Sequence, residues 1–304
     1  MRGRTAVTTA GLSAFWLALA TCSQDPMQST EPPPEPDTVL VGAGDIADCT
    51  YLGDDQTANL LDAIPGTVFT AGDNAYPDGT AADYTNCYEP TWGRHRSRTR
   101  AALGNHEYAI DTLLAGPSFD YFGAALGERG KGYYSYDIGS WHVVVLNDNS
   151  DYVDFNRGSA QEQWLVADLA RNGRRCVLAI WHQPRFFSSN TPGFNLRTTR
   201  KILWDDLYAA NADVVINGHQ HIYERFTPMN PDGTPDASKG IRQFIVGTGG
   251  SDLAEPTVIA PNSEIRDGST SGVLKLTLKY RAYAWRFIPV TGQTFADSGS
   301  GTCH

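Results

Sequence analysis

Two histidines, His219 and His221, are separated by a single residue in the segment GHQHIYER. Side chains two positions apart on an extended segment point to the same side, so both imidazoles can face one site. Several apolar runs of the chain end in polar residues of the same few types, and none ends in a plausible serine or cysteine nucleophile. The residues at these ends are Asp45, Asp73, Asn105 with His106, His182, and His219 with His221. This composition indicates a metal site.

Each of these residues has an ordinary structural explanation when it is taken alone. A lone aspartate after a glycine is commonly a turn residue or a helix cap, and a lone histidine in a strand is commonly a hydrogen-bonded core residue. Several carboxylates and imidazoles buried side by side, however, would be too unfavourable without cations to pair with them. The set as a whole therefore favours metal binding.

Predicted strands deliver these candidate ligands. Short apolar runs end in polar residues in the segments TVLVGAGD, GTVFTAGD, RTRAALGNHE, CVLAIWH and ADVVINGH. Because ligands of open α/β sheets collect beyond the carboxyl ends of the strands, we expect these ends to meet. Helices are predicted for DDQTANLLDAI, for RKILWDDLYAAN and for SAQEQWLVADLARNG, which begins with a Ser159-x-x-Glu162 capping box.

The later part of the chain is predicted to be mostly β. A hairpin with its turn at Gly139-Ser140 is predicted for GYYSYDIGSWHVVVLND, and no helix separates the later runs IRQFIVGTGG, GVLKLTL and AYAWRFI. Strands that alternate with helices and then follow one another predict a layered α/β sandwich with two sheets.

Five ordered motifs carry a resemblance to a known family. They are GDIAD, GDNAY, GNHE, WHQP and GHQHIYER, within about residues 39–250. In this order they resemble the motifs of the calcineurin-like metallophosphoesterase superfamily. The tyrosine three residues after Asp73 and the Tyr-Glu-Arg run favour its purple acid phosphatase-like branch. The resemblance implies an α/β fold, a layered α-β-β-α sandwich of two mixed β-sheets flanked by helices.

The resemblance further implies a pair of metal ions bound by the candidate residues. One ion would be held by Asp45, Asp73, Tyr76 and His221. The other would be held by Asp73, Asn105, His182 and His219, with Asp73 bridging. A Tyr76 phenolate adds negative charge, so the pair implied is Fe(III) with Fe(II), Zn or Mn. The alternative is two divalent ions with Tyr76 as a neutral hydroxyl group beside them.

The implied reaction is hydrolysis of a phosphate ester by a metal-bridging hydroxide that attacks phosphorus in line with the leaving group. His106 resembles the family residue that stabilises the transition state or protonates the leaving group, and it is predicted to be the general acid. Arg185 is a candidate for substrate binding, with a structural arginine as the alternative. Plant and animal purple acid phosphatases have further histidines shortly after the H-x-P motif, and WHQPRFFSSNTPGFN has none. Their substrate contacts therefore do not transfer.

The N-terminal segment predicts export. Arg2 and Arg4 precede an apolar stretch, which is typical of a signal peptide over residues 1–21 and is short for a membrane span. Ordinary cleavage after Ala18-Leu19-Ala20 competes with a lipobox-like Leu19-Ala20-Thr21-Cys22, although Thr21 fits that pattern poorly. A lipidated Cys22 would attach the chain to a membrane as a bacterial cell-surface lipoprotein; otherwise it is secreted or periplasmic. Residues 22–37 are a predicted proline-rich tether, and residues 38–304 are the predicted metallophosphoesterase domain.

The cysteine count is consistent with this compartment. The chain has five cysteines, and without Cys22 an even set remains, which is compatible with two disulfides in an oxidising compartment. Sequence does not determine the connectivity; we expect Cys49 to pair with Cys87 and Cys176 to pair with Cys303.

The charge of the chain excludes one class of partner. A net charge of −10 argues against binding to nucleic acid, because neutralising phosphates requires clustered lysine and arginine. The sequence therefore predicts an exported phosphomonoesterase that acts on a small-molecule phosphate ester. A phosphodiesterase for cyclic nucleotides or phospholipid head groups, with the same site, is the main alternative. A catalytically silent binding module is the other. The natural substrate, the pH optimum and the oligomeric state stay open.

Overall fold

The computed structural model describes residues 1–3, 5–6, 36–174 and 176–304. The described residues from 36 to 304 form one compact unit. Most of the predicted signal peptide and of the tether, including Cys22, lies outside the described residues, so those predictions stay predictions. No helix in the described part of the chain is both long and apolar enough to cross a membrane.

Two mixed β-sheets form the centre of this unit. In spatial order, the strands of the first sheet are β13 (Ser298–Thr302), β12 (Ala282–Pro289), β11 (Gly272–Lys279), β1 (Thr38–Ala43), β2 (Thr67–Thr70) and β3 (Thr99–Arg100). Those of the second sheet are β10 (Ser263–Asp267), β8 (Tyr223–Phe226), β9 (Arg242–Val246), β7 (Val214–Asn217), β6 (Cys176–Ile180), β5 (Trp141–Val145) and β4 (Tyr134–Ile138). Neighbours within β1 to β3 are parallel, as are β5, β6, β7 and β9; the other pairings are antiparallel.

Helices of one to three turns flank the sheets. The α-helices are α1 (Gly53–Ala63), α2 (Ala81–Asp83), α3 (Gly116–Phe122), α4 (Ala160–Arg171) and α5 (Lys201–Ala209). A π-helical turn spans Tyr84–Tyr88, and 3₁₀ turns span Trp92–Arg98, His106–Tyr108, Asp111–Leu113, Gly123–Leu126 and Thr198–Arg200. The predicted class, a layered sandwich of two mixed sheets flanked by helices, is confirmed.

Strand β6 shows why its sequence is apolar throughout. Its alternate residues Leu178 and Ile180 join the core that also contains residues of the first sheet. Its residues Val177 and Ala179 join a second core that contains apolar residues of α4 and α5. A central parallel strand that is covered on both faces has no polar face, so a continuous hydrophobic run is expected there. The strand ends are held in place from both sides.

Two local predictions differ in detail from the structure. The strand predicted through Ala101 and Ala102 is only two residues long, because the Ala101 amide donates to the Ala125 carbonyl and the Ala102 amide donates to the Thr70 hydroxyl. Helix α4 does begin after Ser159, whose hydroxyl accepts from the Glu162 amide, but the Glu162 carboxylate accepts from the Gly158 amide. The cap is therefore one residue wider than the predicted box.

The four cysteines of the domain form the disulfides expected from the sequence. Cys49 pairs with Cys87, and Cys176 pairs with Cys303. The second disulfide joins β6 to the end of the chain, next to β13 of the other sheet. It therefore links the two sheets covalently.

Candidate metal centre

The carboxyl ends of strands from both sheets meet at one edge of the sandwich. Asp45 and Asp73 follow β1 and β2 of the first sheet, while His182 and His219 follow β6 and β7 of the second. Asn105 follows the short strand β3 after an irregular segment. The edge expected from the parallel strands therefore exists, and residues from both sheets form it.

One group of predicted ligands surrounds the hydroxyl of Tyr76. Its oxygen lies 3.0 Å from Asp45 Oδ1, 3.3 Å from Asp73 Oδ2 and 3.2 Å from His221 Nε2. His221 Nε2 also lies 3.3 Å from Asp45 Oδ1. These are the four residues that the resemblance assigns to one ion.

A second group surrounds Nε2 of His182. This nitrogen lies 3.0 Å from Asp73 Oδ2, 3.1 Å from Asn105 Oδ1 and 3.1 Å from His219 Nδ1. Asp73, His182 and His219 offer ligand atoms that lie within 4.8 Å of one another. Because Asp73 Oδ2 contacts both groups, one carboxylate oxygen stands between them. The structure thus brings together every residue predicted to bind metal, in the predicted grouping.

Backbone carbonyls orient two of the imidazoles. His182 Nδ1 lies 2.8 Å from the Ala71 carbonyl oxygen, and His221 Nδ1 lies 2.8 Å from the Asp252 carbonyl oxygen. An Nδ1–H that donates to a carbonyl leaves the lone pair of Nε2 directed at the cluster, as a metal ligand requires. Asp252 was not predicted; it follows the predicted strand segment IRQFIVGTGG.

The electrostatics of the cluster favour positive charge. Burial alone would lower the pKa of His182, but the Asp73 carboxylate raises it to about 10. Burial also acts to lower the pKa of His221, but the Asp45 carboxylate outweighs this effect and raises the pKa to about 9. Burial and then the Asp45 and Asp73 carboxylates raise the pKa of the Tyr76 phenol above its ordinary value. A cation at the cluster would satisfy the same carboxylates and would favour the phenolate.

The backbone of the site is held in an uncommon conformation. Asp45, Asp73 and His219 have φ angles of 58°, 50° and 68°, a left-handed region that non-glycine residues seldom adopt. Adjacent glycines permit the close packing: a Cβ on Gly104 would lie 2.1 Å from Asp73 Oδ1, and one on Gly218 would lie 2.6 Å from Asp45 Oδ2. Strain of this kind is kept where the surrounding structure enforces it, commonly at functional sites.

Glu107 supports this backbone and was missed by sequence reasoning. It is 1% exposed, and its carboxylate accepts from the amides of Asp73 at 3.0 Å, Asn74 at 2.7 Å and Gly104 at 2.6 Å. It therefore fixes the turn that presents the shared carboxylate. Its position directly after Asn105-His106 in the GNHE motif was the available signal.

His106, the predicted general acid, lies at the rim of the cluster. Its amide donates to Asp73 Oδ1 at 2.8 Å, and its Nδ1 hydrogen-bonds to the Pro77 carbonyl oxygen. Its Nε2 lies 3.9 Å from Asp73 Oδ2, and the side chain is 35% exposed. A group placed in this way can contact both the cluster and a bound ligand.

Arg185, the candidate for substrate binding, makes its hydrogen bonds outside the cluster. It is 4% exposed, with Nε donating to the Pro231 carbonyl and Nη1 donating to the carbonyls of Arg197 and Thr198. These bonds use the guanidinium to fix a loop. Among the contacts of the described residues, none joins Arg185 to a predicted ligand.

A polar cavity of about 340 Å³ opens beside Asn105. Its wall includes Asp148, Gln183 and the stacked rings of Tyr108 and Tyr152. Beneath it, Arg200 donates to the Asp148 side chain and to Gln183 Oε1. Hydrogen-bonding groups therefore line the space next to the second ligand group.

Comparisons with known proteins agree with this geometry. The sequence matches the model of the calcineurin-like phosphoesterase family over residues 15–223, more than half of the chain, and this confirms the resemblance found in the motifs. Purple acid phosphatase 15 of Arabidopsis thaliana is 27% identical, in an alignment that covers 66% of this chain and 42% of that protein. Purple acid phosphatase 1 of Ipomoea batatas is 26% identical, over 73% of this chain and 52% of that protein. The chain spans about half the length of the curated relatives it matches.

Solved structures show the same fold. A purple acid phosphatase from yellow lupin seeds, PPD1 of Lupinus luteus, superposes with a TM-score of 0.71 and 21% identity, over 89% of this chain and 55% of that chain. GAP50, described as the anchor in the inner membrane complex of Plasmodium, superposes with a TM-score of 0.67 and 12% identity, over 88% of this chain and 89% of that chain. At these identities the likeness concerns the fold.

Proposed function

Because the chain belongs to the calcineurin-like phosphoesterase family, we propose that it is an exported phosphatase that hydrolyses phosphomonoesters with two bound metal ions. One observation carries the proposal. Asp73 Oδ2 contacts both Tyr76 and His182, so a single carboxylate oxygen connects two groups of ligand atoms. A bridging carboxylate between two sets of oxygen and nitrogen donors is what a pair of metal ions requires.

The donor types fit the proposed metals. Asp45, Asp73, Tyr76 and His221 form the group for a trivalent ion, Fe(III), because two carboxylates and a phenolate supply its negative charge. The group with Asn105, His182 and His219 suits Fe(II), Zn or Mn. When bound, two such ions activate water for attack and neutralise charge on the phosphoryl oxygens.

The residues of the chain then have separate tasks in the reaction. The paired carbonyl contacts hold His182 and His221 in the orientation that binding requires. In its imidazolium form, His106 donates Nδ1–H to the Pro77 carbonyl, and its Nε2–H is then the proton that passes to the leaving alkoxide. The polar cavity beside Asn105 receives the leaving group and favours one that carries hydroxyl groups.

The names of the relatives given above support a phosphomonoester substrate, since these relatives are purple acid phosphatases. The test compares an aryl phosphomonoester with a bis-aryl phosphodiester, using the full chain produced in an oxidising compartment. Each substrate is assayed before and after metal stripping, and again after metals are restored. We expect turnover that favours the monoester, is lost on stripping and returns with metal. A preference for the diester would establish the alternative substrate class, and full activity after verified metal removal would refute the mechanism.

Replacing the shared carboxylate tests the site itself. Asp73→Asn should lower bound metal to at most one ion per chain and lower kcat by at least about 100-fold, because a catalytic charge-stabilising group is worth that much. Asp205→Asn is a matched control, since Asp205 pairs with Lys201 on α5. Normal metal content and activity in Asp73→Asn would exclude the proposed site. A wild type that binds no metal and hydrolyses neither substrate would leave a binding module as the better account.

Tyr76→Phe tests the identity of the metal. A phenolate bound to Fe(III) produces a visible charge-transfer band, and the Tyr76 hydroxyl lies among the ligands of the proposed Fe(III) ion. We expect iron-loaded wild type to be coloured and Tyr76→Phe to lose the band. A colourless wild type with two divalent ions would identify Tyr76 as a neutral hydroxyl group next to them.

A further inference from the structure

Arg197 lies against the candidate metal centre and contacts one of its predicted ligands. Its Nη2 is 2.8 Å from Nε2 of His219, whose Nδ1 faces His182 in the second ligand group. Its Nη1 is buried and has no hydrogen-bond partner among the described residues. A buried charged donor that is left unpaired is costly, so this nitrogen indicates a missing acceptor.

The protonation of His219 sharpens this point. If Nδ1 binds a cation through its lone pair, the ring proton is on Nε2. Two donors, Nε2–H of His219 and Nη2–H of Arg197, then face each other at hydrogen-bonding distance, which is repulsive. An oxygen anion that accepts from the guanidinium would resolve the conflict.

The position of Arg197 is fixed by its surroundings. Its guanidinium lies over the rings of Phe187 at 4.6 Å and Phe194 at 5.4 Å. Its amide donates to the Arg185 carbonyl at 2.8 Å, and the Arg185 guanidinium donates back to the Arg197 carbonyl. Arg185, predicted to bind substrate, therefore serves as a positioning residue for Arg197.

The positive charge of Arg197 is not balanced by a carboxylate in an ion pair among the described residues. The neighbouring Arg200 pairs with Asp148 at 3.0 Å, whereas none of the ion pairs of the described residues includes Arg197.

We propose that Arg197 binds the non-reacting oxygens of the phosphoryl group, on the His219 side of the metal centre. The proposal rests on the proposed function, and it assigns the guanidinium to a dianionic phosphate. Planar guanidinium groups suit this task because they donate two parallel hydrogen bonds to phosphate oxygens.

The experiment measures phosphate binding directly. Inorganic phosphate is titrated calorimetrically into metal-loaded full chain, for the wild type, Arg197→Gln and Arg197→Lys, and metal content is measured in each sample. We expect Arg197→Gln to weaken phosphate binding by about 10- to 100-fold, which is the effect of losing a charged hydrogen-bond donor, and Arg197→Lys to restore part of it. KM for the aryl phosphomonoester should rise in parallel, with a smaller change in kcat. Arg129→Gln, which removes an exposed arginine paired with Asp120, controls for net charge.

Two outcomes would overturn the proposal. Phosphate affinity within twofold of wild type in Arg197→Gln would show that the guanidinium does not contact phosphate. A loss that tracks a fall in metal content, with unchanged affinity in the fully loaded fraction, would show that Arg197 acts by positioning His219. The wild type is assayed first, so failure of hydrolysis in the wild type identifies failure of the proposed function, and loss confined to Arg197 variants concerns this inference alone.

Discussion

Replacing Glu107 tests whether the geometry of the metal centre depends on the backbone beneath it. Oε2 accepts from the amides of Asp73 and Gly104, and Oε1 accepts from the amide of Asn74. Glutamine keeps one carbonyl oxygen, which can serve two of these amides. Its amide nitrogen must then face the third N–H. A buried donor left unpaired costs about 1 to 3 kcal/mol.

The expected effect on unfolding follows from this count. Glu107→Gln should lower the free energy of unfolding by about 2 kcal/mol, and Glu107→Ala, which leaves all three amides unpaired, by about 4 to 5 kcal/mol. For a domain of this size, about 2 kcal/mol corresponds to a fall in Tm of about 4 to 8 °C. Burial raises the pKa of Glu107, so part of the loss is offset because glutamine carries no charge into the interior.

The assay combines urea unfolding with metal content and kinetics. If Glu107 holds Asp73 in its left-handed conformation, Glu107→Gln should lose metal and activity as well as stability. Glu162→Gln is the matched control, because Glu162 is a buried glutamate that accepts from the Gly158 amide at 3.0 Å in the cap of α4. It should lose stability and keep metal and activity. Glu107→Gln with wild-type stability and full metal content would refute the reasoning.

Two further predictions concern the scaffold. Burial raises the pKa of Asp54, which is 4% exposed, to about 6. Between about pH 4 and 6 the folded state therefore binds more protons than the unfolded state. Ionisation of Asp54 thus destabilises the fold as the pH rises. Asp54→Asn removes that penalty, so the free energy of unfolding of the variant minus that of the wild type should increase by about 2 kcal/mol from pH 4 to pH 7. Urea unfolding that gives the same difference at both pH values would contradict this. The paired replacement Cys176→Ser with Cys303→Ser should lower the free energy of unfolding by about 2 to 4 kcal/mol, because the disulfide closes a separation of 127 residues, and should leave metal content unchanged. Loss of metal in that variant would show that metal binding depends on the disulfide.

The ligand residues were predictable because their positions follow from a repeated local pattern. The apolar runs before Asp45, Asp73 and His182 are strands, and a polar residue that follows such a strand lies at its carboxyl edge. The helix beginning after Ser159 was predictable for a similar reason, since its cap lies within a few residues of sequence. Local rules therefore predicted which residues the structure brings together at this edge.

Residues that act across large sequence separations were not predictable in this way. Glu107 accepts hydrogen bonds from the amides of Asp73 and Asn74, which lie 34 and 33 positions earlier in the chain. No local sequence pattern predicts that contact. Arg197 reaches His219 only because the segment after β6 folds back and the Arg185 side chain fixes its end. Arg185 was the more visible arginine because it adjoins the WHQP motif, yet its donors are occupied by carbonyls. Proximity to a motif did not reveal which guanidinium faces the site.

The division of the ligands between the two sheets has a mechanical consequence. Asp45 and Asp73 follow strands of the first sheet, and His182 and His219 follow strands of the second. An ion held between Asp73 and His182 would therefore connect the two sheets. An ion present at 100 times its dissociation constant would add about 2.7 kcal/mol to the stability of the closed sandwich. Separation of the two sheets would then require dissociation of the ion. The dissociation rate of the metal would therefore set an upper limit on how often the sheets separate.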